Sequence, residues 1–516
     1  MINEVYADHL VIRASGTLAQ FNAAFNTSIH DFKDSDGKAF RQPVKAPELP
    51  VTLQSLILTV AGLNTNPPQV LSHRHSLRDV PAGHGVLTPG IKLPASGSTA
   101  SGVAGLYTVG DVANFYGVNP LYKRGVLGQG HKLGIATLAS FLPGDAEFYW
   151  KSIGLEVKPN RITQVHVDGG GLISAAAGSG ETALDVEQSG GMAPQADIVV
   201  YDAPNTDFGF LDMFYKAVSD NLVDTLSVSW GSPELAYLPS TGSADLTPQL
   251  IAFHQAFAEA AVQGISLFAA AGDSGAYDTE RGAPAPQYTT PLSVDSPASD
   301  PYMVAAGGTT LPVSISFTGV TNPVVINTEQ VWGWDYLSPL FGSDAVFSVG
   351  GGGGVSIVWP TPAYQANVAG VLTSAAQQSW SWYPNFPDLT GGLQLLYNLP
   401  AGFAGRNVPD ISLNADPFSG YLLYSTPDGG FSMGNGGTSF VAPQLNGITT
   451  LLVQATGSRL GLLQPALYAA QTKRGAIRDI VAGDNWGYAG VPGYEPAAGL
   501  GVLNVAKLLQ SLQKAN

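Results

Sequence analysis

Short apolar strands alternating with helical stretches constrain the fold of this chain more than any other feature. Ile198-Val199-Val200-Tyr201 reads as a buried strand and Asp207 to Ser219 as a helix. Leu226-Ser227-Val228-Ser229-Trp230 reads as a strand ending at Gly231. Leu250 to Gln263 is a helix, and Ile265 to Ala271 a strand ending in Gly272-Asp273. This rhythm argues an α/β fold built on a doubly wound parallel sheet. In such a sheet a functional site lies beyond the carboxyl ends of the strands. Trp230-Gly231 and Gly272-Asp273 both fall at such ends.

With 516 residues the chain is long enough for more than one domain and a large core. Charge divides it: net +1 over residues 1–102 and −17 over residues 103–516. Between the halves, residues 73–104 form a polar segment with His73, Arg74, His75, His84 and the run Ala95-Ser96-Gly97-Ser98-Thr99-Ala100-Ser101-Gly102. It reads as a flexible, protease-accessible linker. The formal charge of −16 argues against nucleic acid as a partner. Charged residues are only 12%, about half the usual share, and few ion pairs are then lost at low pH. There is no cysteine, so disulfides and thiolate ligands are excluded. No apolar run reaches membrane-spanning length, and Met1-Ile2-Asn3-Glu4-Val5 lacks the basic and apolar regions of a signal peptide.

The chemistry centres on Gly436-Gly437-Thr438-Ser439-Phe440-Val441-Ala442-Pro443. A Gly-Thr-Ser turn before small and apolar residues places Ser439 at the start of a buried helix running to about Gln454. Its hydroxyl can there attack a carbonyl while its N–H faces the developing oxyanion. None of the eight histidines (His9, His30, His73, His75, His84, His131, His166, His254) stands in a turn that would aim it at a serine. Gly178-Ser179-Gly180-Glu181-Thr182-Ala183-Leu184-Asp185 offers a different base: Glu181 and Asp185 lie one helical turn apart on one face. Two close carboxyls share a proton in acid, and a carboxylate base would set an acidic working range. An isolated pair of this spacing is more often a solvated helix face. Ala271-Gly272-Asp273-Ser274-Gly275 supplies Asp273, which can donate to an oxyanion once protonated. Gly350 to Gly354 lacks the following Lys-Ser/Thr of a phosphate-binding loop.

The order Glu181, Asp185, Asp273, Ser439 resembles the sedolisin or serine-carboxyl peptidase family, above all its kumamolisin-like bacterial branch. The likeness extends through Tyr107-Thr108-Val109-Gly110-Asp111-Val112, Ala203-Pro204-Asn205-Thr206-Asp207, Ser227 to Gly231, Gly350 to Ser356 and Pro409-Asp410-Ile411-Ser412. It implies a subtilisin-like fold with Ser439 as nucleophile, Glu181 as general acid/base, Asp185 as its partner and Asp273 as oxyanion donor. Asp295 would line the S1 pocket and favour basic or hydrogen-bonding residues there, with Trp230 and Gly231 also binding substrate.

The resemblance also implies a structural calcium site. Its matching ligands are Asp479, Glu495 and the carbonyls of Ile480, Val491 and Gly493, hard oxygen donors suited to that ion. Glu495 and Val491 stand where the family has Asp and usually Gly. Thr137 stands where a Glu often extends the proton network, so that extension is expected to be missing. Residues 1–72 resemble the second half of the family's activation prodomain, a smaller α+β unit acting as intramolecular inhibitor and folding aid. Residues 105–516 would be the peptidase domain. The implied protein is an extracellular, monomeric, acid-active endopeptidase made as a proenzyme and processed in the 73–104 linker. A tripeptidyl aminopeptidase and a catalytically silent binding domain are the alternatives.

Overall fold

The computed structural model describes residues 1–33, 39–45, 47–65, 70–81, 85–88, 90–239, 245–473 and 475–515. His84 of the expected linker lies outside them. The core is an eight-stranded sheet. Its strands are β1 (Lys132–Thr137), β2 (Ile162–His166), β3 (Asp197–Asp202), β4 (Thr225–Val228), β5 (Ser266–Ala270), β6 (Val304–Thr310), β7 (Gln330–Val331) and β8 (Ile411–Asn414). They run in the order β7-β6-β5-β4-β1-β3-β2, and β8 also pairs with β6. Every pairing is parallel except that of β7 with β6.

Alternate side chains of these strands leave the two faces of the sheet, and both faces are covered, which explains their near-continuous apolar character. Leu133, Ile135, Ile198, Val200, Phe268 and Ala270 pack on one side. That side carries helices α1 (Ser179–Met192) and α4 (Thr438–Thr456). Val199, Tyr201, Leu226, Val228, Leu267 and Ala269 pack on the other, against Phe210 and Phe214 of α2 (Asp207–Asp220) and Phe253 and Phe257 of α3 (Thr247–Gln263). The sequence expectation of a doubly wound sheet is met.

One expected strand is broken. Leu226 to Trp230 splits into β4 and a separate strand, Trp230–Pro233, that leaves the sheet. Ser229 at the break turns its hydroxyl to Asp185 and its carbonyl to His73 N–H. The N-terminal part holds an antiparallel pair (Ile2–Val5 with Ile12–Ala14), a short helix (Leu18–Ala24) opened by a Thr17/Gln20 capping box, and a second pair (Ile29–Lys33 with Ala39–Pro43). It docks on α2: Tyr6 Oη donates to Asp212 Oδ1 at 2.7 Å, and Arg13 pairs with Asp168 and Asp212. No helix among the described residues is long and apolar enough to cross a membrane.

Candidate active site

Ser439 opens α4 one residue after Thr438, and Gly437 before them has φ 100°, a backbone angle that disfavours any side chain. A Cβ on Gly437 would also lie 2.1 Å from the His73 carbonyl oxygen and 2.5 Å from Asp273 Oδ2. The turn is therefore shaped around a carbonyl. Ser439 N–H donates to that same His73 oxygen at 3.0 Å. A substrate-like peptide thus already occupies the position where an oxyanion would form.

Every residue of α1 is buried, so Glu181 and Asp185 are not part of a solvated helix face. Burial pushes the Glu181 carboxyl up to about 7, against the Arg74 charge and the neighbouring Ser439 hydroxyl. The Asp185 carboxyl is also pushed well up, through burial and then the Glu181 charge, although Ser229 Oγ donates to its Oδ1 at 2.6 Å. Two raised carboxyls one helical turn apart share a proton and titrate as a pair. Ser439 Oγ and both Glu181 oxygens are buried and close no hydrogen bond of normal geometry, as is common before the reacting complex tightens.

Asp273 follows the end of β5. Its Oδ1 accepts from Thr438 N and Thr438 Oγ1, both at 2.8 Å, while buried Oδ2 has no partner and faces the Gly437 turn. Burial raises this carboxyl to about 6, with His75 as the main opposing charge. Below that pH the side chain is a donor. The glycine run braces it: Gly350 N donates to Asp273 O and Gly352 N to Gly272 O.

The segment expected to be a loose linker begins inside the cleft. Leu71 and Ser72 pair antiparallel with Gly231 and Trp230, and His75 and Ser76 with Gly436 and Asn435. His73 is 1% exposed. Backbone pairing on both sides holds the His73–Arg74 peptide across Ser439, and these bonds replace the solvation a linker would have. Trp230 and Gly231 thus line the segment. The His73 imidazole reaches Asp295, with Nε2 3.3 Å from Oδ2, and Arg74 pairs with Asp428 at 3.0 Å. Arg281 joins the same pocket, donating from Nη2 to Asp295 Oδ2 at 3.0 Å. Gly231 leaves room for this: a Cβ there would lie 2.2 Å from Asp295 Oδ1. Thr137 carries no charge here. It accepts from Trp230 Nε1 at 3.0 Å and bonds Thr182 at 2.7 Å, a neutral chain in place of a carboxylate.

Sequence reasoning missed Arg281, Asp278, Asp428 and Ser229. Asp278 and Arg281 lie on one short 3₁₀ turn and Asp428 in the turn between two strands, and no local signal marks them. His73 and His75 were legible only as histidines in a linker.

Of the expected metal ligands, Asp479 and Glu495 lie in the C-terminal loops, near enough for the charge of one to act on the other. Asp479 Oδ2 accepts from Gly493 N at 2.8 Å. Glu495 Oε1 accepts from Ala498 N at 3.1 Å, while its Oε2 is buried and unpartnered. Burial, and next the charge of Asp479, raise Glu495 to about 8. An orphaned carboxylate oxygen near a second carboxylate fits a hard divalent cation. Val491 lacks a positive φ, so its side chain costs the backbone nothing.

Residues 1–66 match the family model "Pro-kumamolisin, activation domain". The chain is 32% identical to kumamolisin from Bacillus sp. strain MN-32 over 96% of its own length and 78% of that protein. It is 27% identical to sedolisin from Pseudomonas sp. strain 101, over 98% of this chain and 75% of that one. The solved Pseudomonas sedolisin complexed with two molecules of pseudo-iodotyrostatin superposes with a TM-score of 0.56 at 23% identity, covering 86% of this chain and 99% of that one.

Proposed function

Because this chain belongs to the sedolisin family, in its kumamolisin-like branch, we propose that it is an acid-active serine-carboxyl endopeptidase held as a zymogen by its own cleft segment. The carrying observation is the 3.0 Å bond from Ser439 N–H to the His73 carbonyl, with the free oxygen of Asp273 on the same turn. The ionised fraction of Glu181 accepts the Ser439 proton as Oγ attacks the carbonyl carbon. The oxyanion is held by Ser439 N–H and the protonated Asp273. Glu181 then returns the proton to the leaving amine, and an ester on Ser439 remains for water. Asp185 positions Glu181 and keeps the shared proton.

The first bond cut would be His73–Arg74, within the chain itself. Cleavage inside peptides is favoured over tripeptide release by one contact. Val70, the fourth residue before that bond, has its carbonyl held by Asn205 Nδ2 at 2.9 Å, so the cleft accepts chain beyond three residues. A calcium ion on Asp479, Glu495 and the nearby carbonyls is part of the proposal and would brace the C-terminal loops. So is export from the cell, which rests on the family likeness.

The test is cleavage of a mixed peptide library at about pH 4 and pH 7, the two sides of the raised carboxyl range, with the Ser439→Ala protein alongside. Acid-restricted cleavage that vanishes in the variant is expected. Equal cleavage at both values, or cleavage by the variant, would remove the carboxyl-based serine mechanism. An N-blocked peptide cut internally separates endopeptidase from tripeptidyl activity.

A further inference from the structure

Two buried carboxylates in a pocket ordinarily select a cation. Asp295 and Asp278 line the pocket that holds the His73 side chain, their own side chains 0% and 1% exposed. Here the cation is already built in. Arg281, with its side chain 9% exposed, places Nε 3.4 Å from Asp278 Oδ1 and Nη2 3.0 Å from Asp295 Oδ2. Its Nη1 lies 2.6 Å from His73 Nδ1. The same guanidinium donates to the carbonyls of Ser72, at 3.3 Å, and Gly231, at 3.5 Å. It therefore touches the side chain before the scissile bond, the backbone one residue earlier, and the cleft strand opposite.

A guanidinium donates and never accepts. His73 Nδ1 must then be an acceptor, which puts the ring proton on Nε2, 3.3 Å from Asp295 Oδ2. The occupant is a neutral imidazole between the Arg281 donor and the Asp295 carboxyl, which faces Nε2 at 3.3 Å without closing a hydrogen bond of normal geometry. We propose that Arg281 sets the primary specificity: the pocket takes a neutral side chain with an acceptor and a donor, histidine first and the amides of glutamine and asparagine next, and it rejects lysine and arginine. A basic side chain would bring N–H groups against Nη1 with no acceptor and set a second cation beside the guanidinium. Of the basic or hydrogen-bonding residues expected from Asp295, the proposal keeps the hydrogen-bonding ones and drops the basic ones. This rests on the peptidase proposal, since only there does the pocket read substrates.

The test uses the full chain as its own substrate. His73→Gln, His73→Arg and His73→Ala are each made with Arg281 and with Arg281→Gln, and cleavage at the 73–74 bond after a shift to acid is followed by mass spectrometry. With Arg281 present, His73→Gln should cleave within a few-fold of the parent and His73→Arg at least about tenfold slower, the size of one lost pocket hydrogen bond. In the Arg281→Gln background, His73→Arg should overtake the chain that keeps His73. If His73→Arg cleaves as fast as the parent beside Arg281, or if the ranking is unchanged in Arg281→Gln, the assignment is overturned. Arg281→Lys keeps the charge and should keep His73→Arg slow, so a folding defect in one variant leaves the other decisive. The same substitutions in the Ser439→Ala chain are read by melting temperature, which needs no catalysis. A penalty for His73→Arg that disappears in Arg281→Gln supports the pocket assignment, and equal penalties overturn it. If no chain cleaves, the peptidase proposal falls, while the melting cycle still decides what Arg281 selects.

Discussion

Asp273 owes its chemistry to its two oxygens lying in different surroundings. Oδ1 is fixed by two bonds from Thr438 at 2.8 Å, and Oδ2 is bare beside the carbonyl bound to Ser439 N–H. Ionised, Oδ2 would set a negative charge against a developing oxyanion. Protonated, it donates to it. An asparagine at this position keeps an acceptor for Thr438 and a donor for the oxyanion at every pH. Asp273→Ala should therefore lower kcat by about 10²–10³-fold, the cost of one oxyanion donor. Asp273→Asn should retain activity and lose the fall that the parent shows as pH rises through about 6. Superimposable pH profiles for the parent and Asp273→Asn would show that this carboxyl is not the titrating donor. Residues of this kind were legible because each stands in a motif with a chemical reason. Arg281 was not, because a cation that neutralises a pocket from a single 3₁₀ turn leaves no trace in spacing.

At the scale of elements, the four site residues meet because α1 and α4 lie on one face of the sheet with little between them. A Cβ on Gly447 of α4 would stand 2.4 Å from the Ser189 carbonyl of α1. The strands and helices were readable from periodicity, yet their ends were not. The helix expected from Leu250 begins at Thr247, because Pro248 fits a first turn without needing its missing N–H. The strand expected to reach Trp230 stops at Val228, because Ser229 is drawn to Asp185 and to the cleft segment. The C-terminal loops carry the calcium proposal at this scale. Calcium should raise the melting temperature of the Ser439→Ala chain over the chelated protein. At a hundredfold excess over the dissociation constant that is about 2.7 kcal/mol. Asp479→Ala should abolish the difference, and an equal gain in Asp479→Ala would remove these residues as ligands.

For the whole molecule, buried carboxyls invert the usual dependence of stability on pH. Burial raises Glu181 and Glu234 to about 7 and Asp273 to about 6, and it raises Asp185, Glu187, Asp278, Asp295 and Asp416 as well. Each binds its proton more tightly folded than unfolded, where carboxyls titrate near 4. Their contribution is therefore fully present below about pH 4 and is lost as pH rises through the folded values of about 6 to 7. His73 works the other way. Burial and Arg281 hold it well below its ordinary value, so what it contributes is lost as pH falls below about 6.5. His73, together with Glu48, Asp79 and Asp388, whose hydrogen bonds hold them below the ordinary carboxyl value, stands against these eight carboxyls. Proton sharing between neighbours leaves a net effect of the buried groups on the order of a few kcal/mol. The overall charge adds in the same direction: with a pI near 4.7, self-repulsion is least in acid. The uncleavable Ser439→Ala chain should therefore melt several degrees higher at about pH 4.5 than at about pH 7.5, on either side of the raised carboxyl range. Ordinary domains held by ionised, paired carboxylates lose stability on the same descent. A melting temperature that falls on acidification would mean that these carboxyls are ionised in the folded protein, and the proposed acid working range would then need another origin.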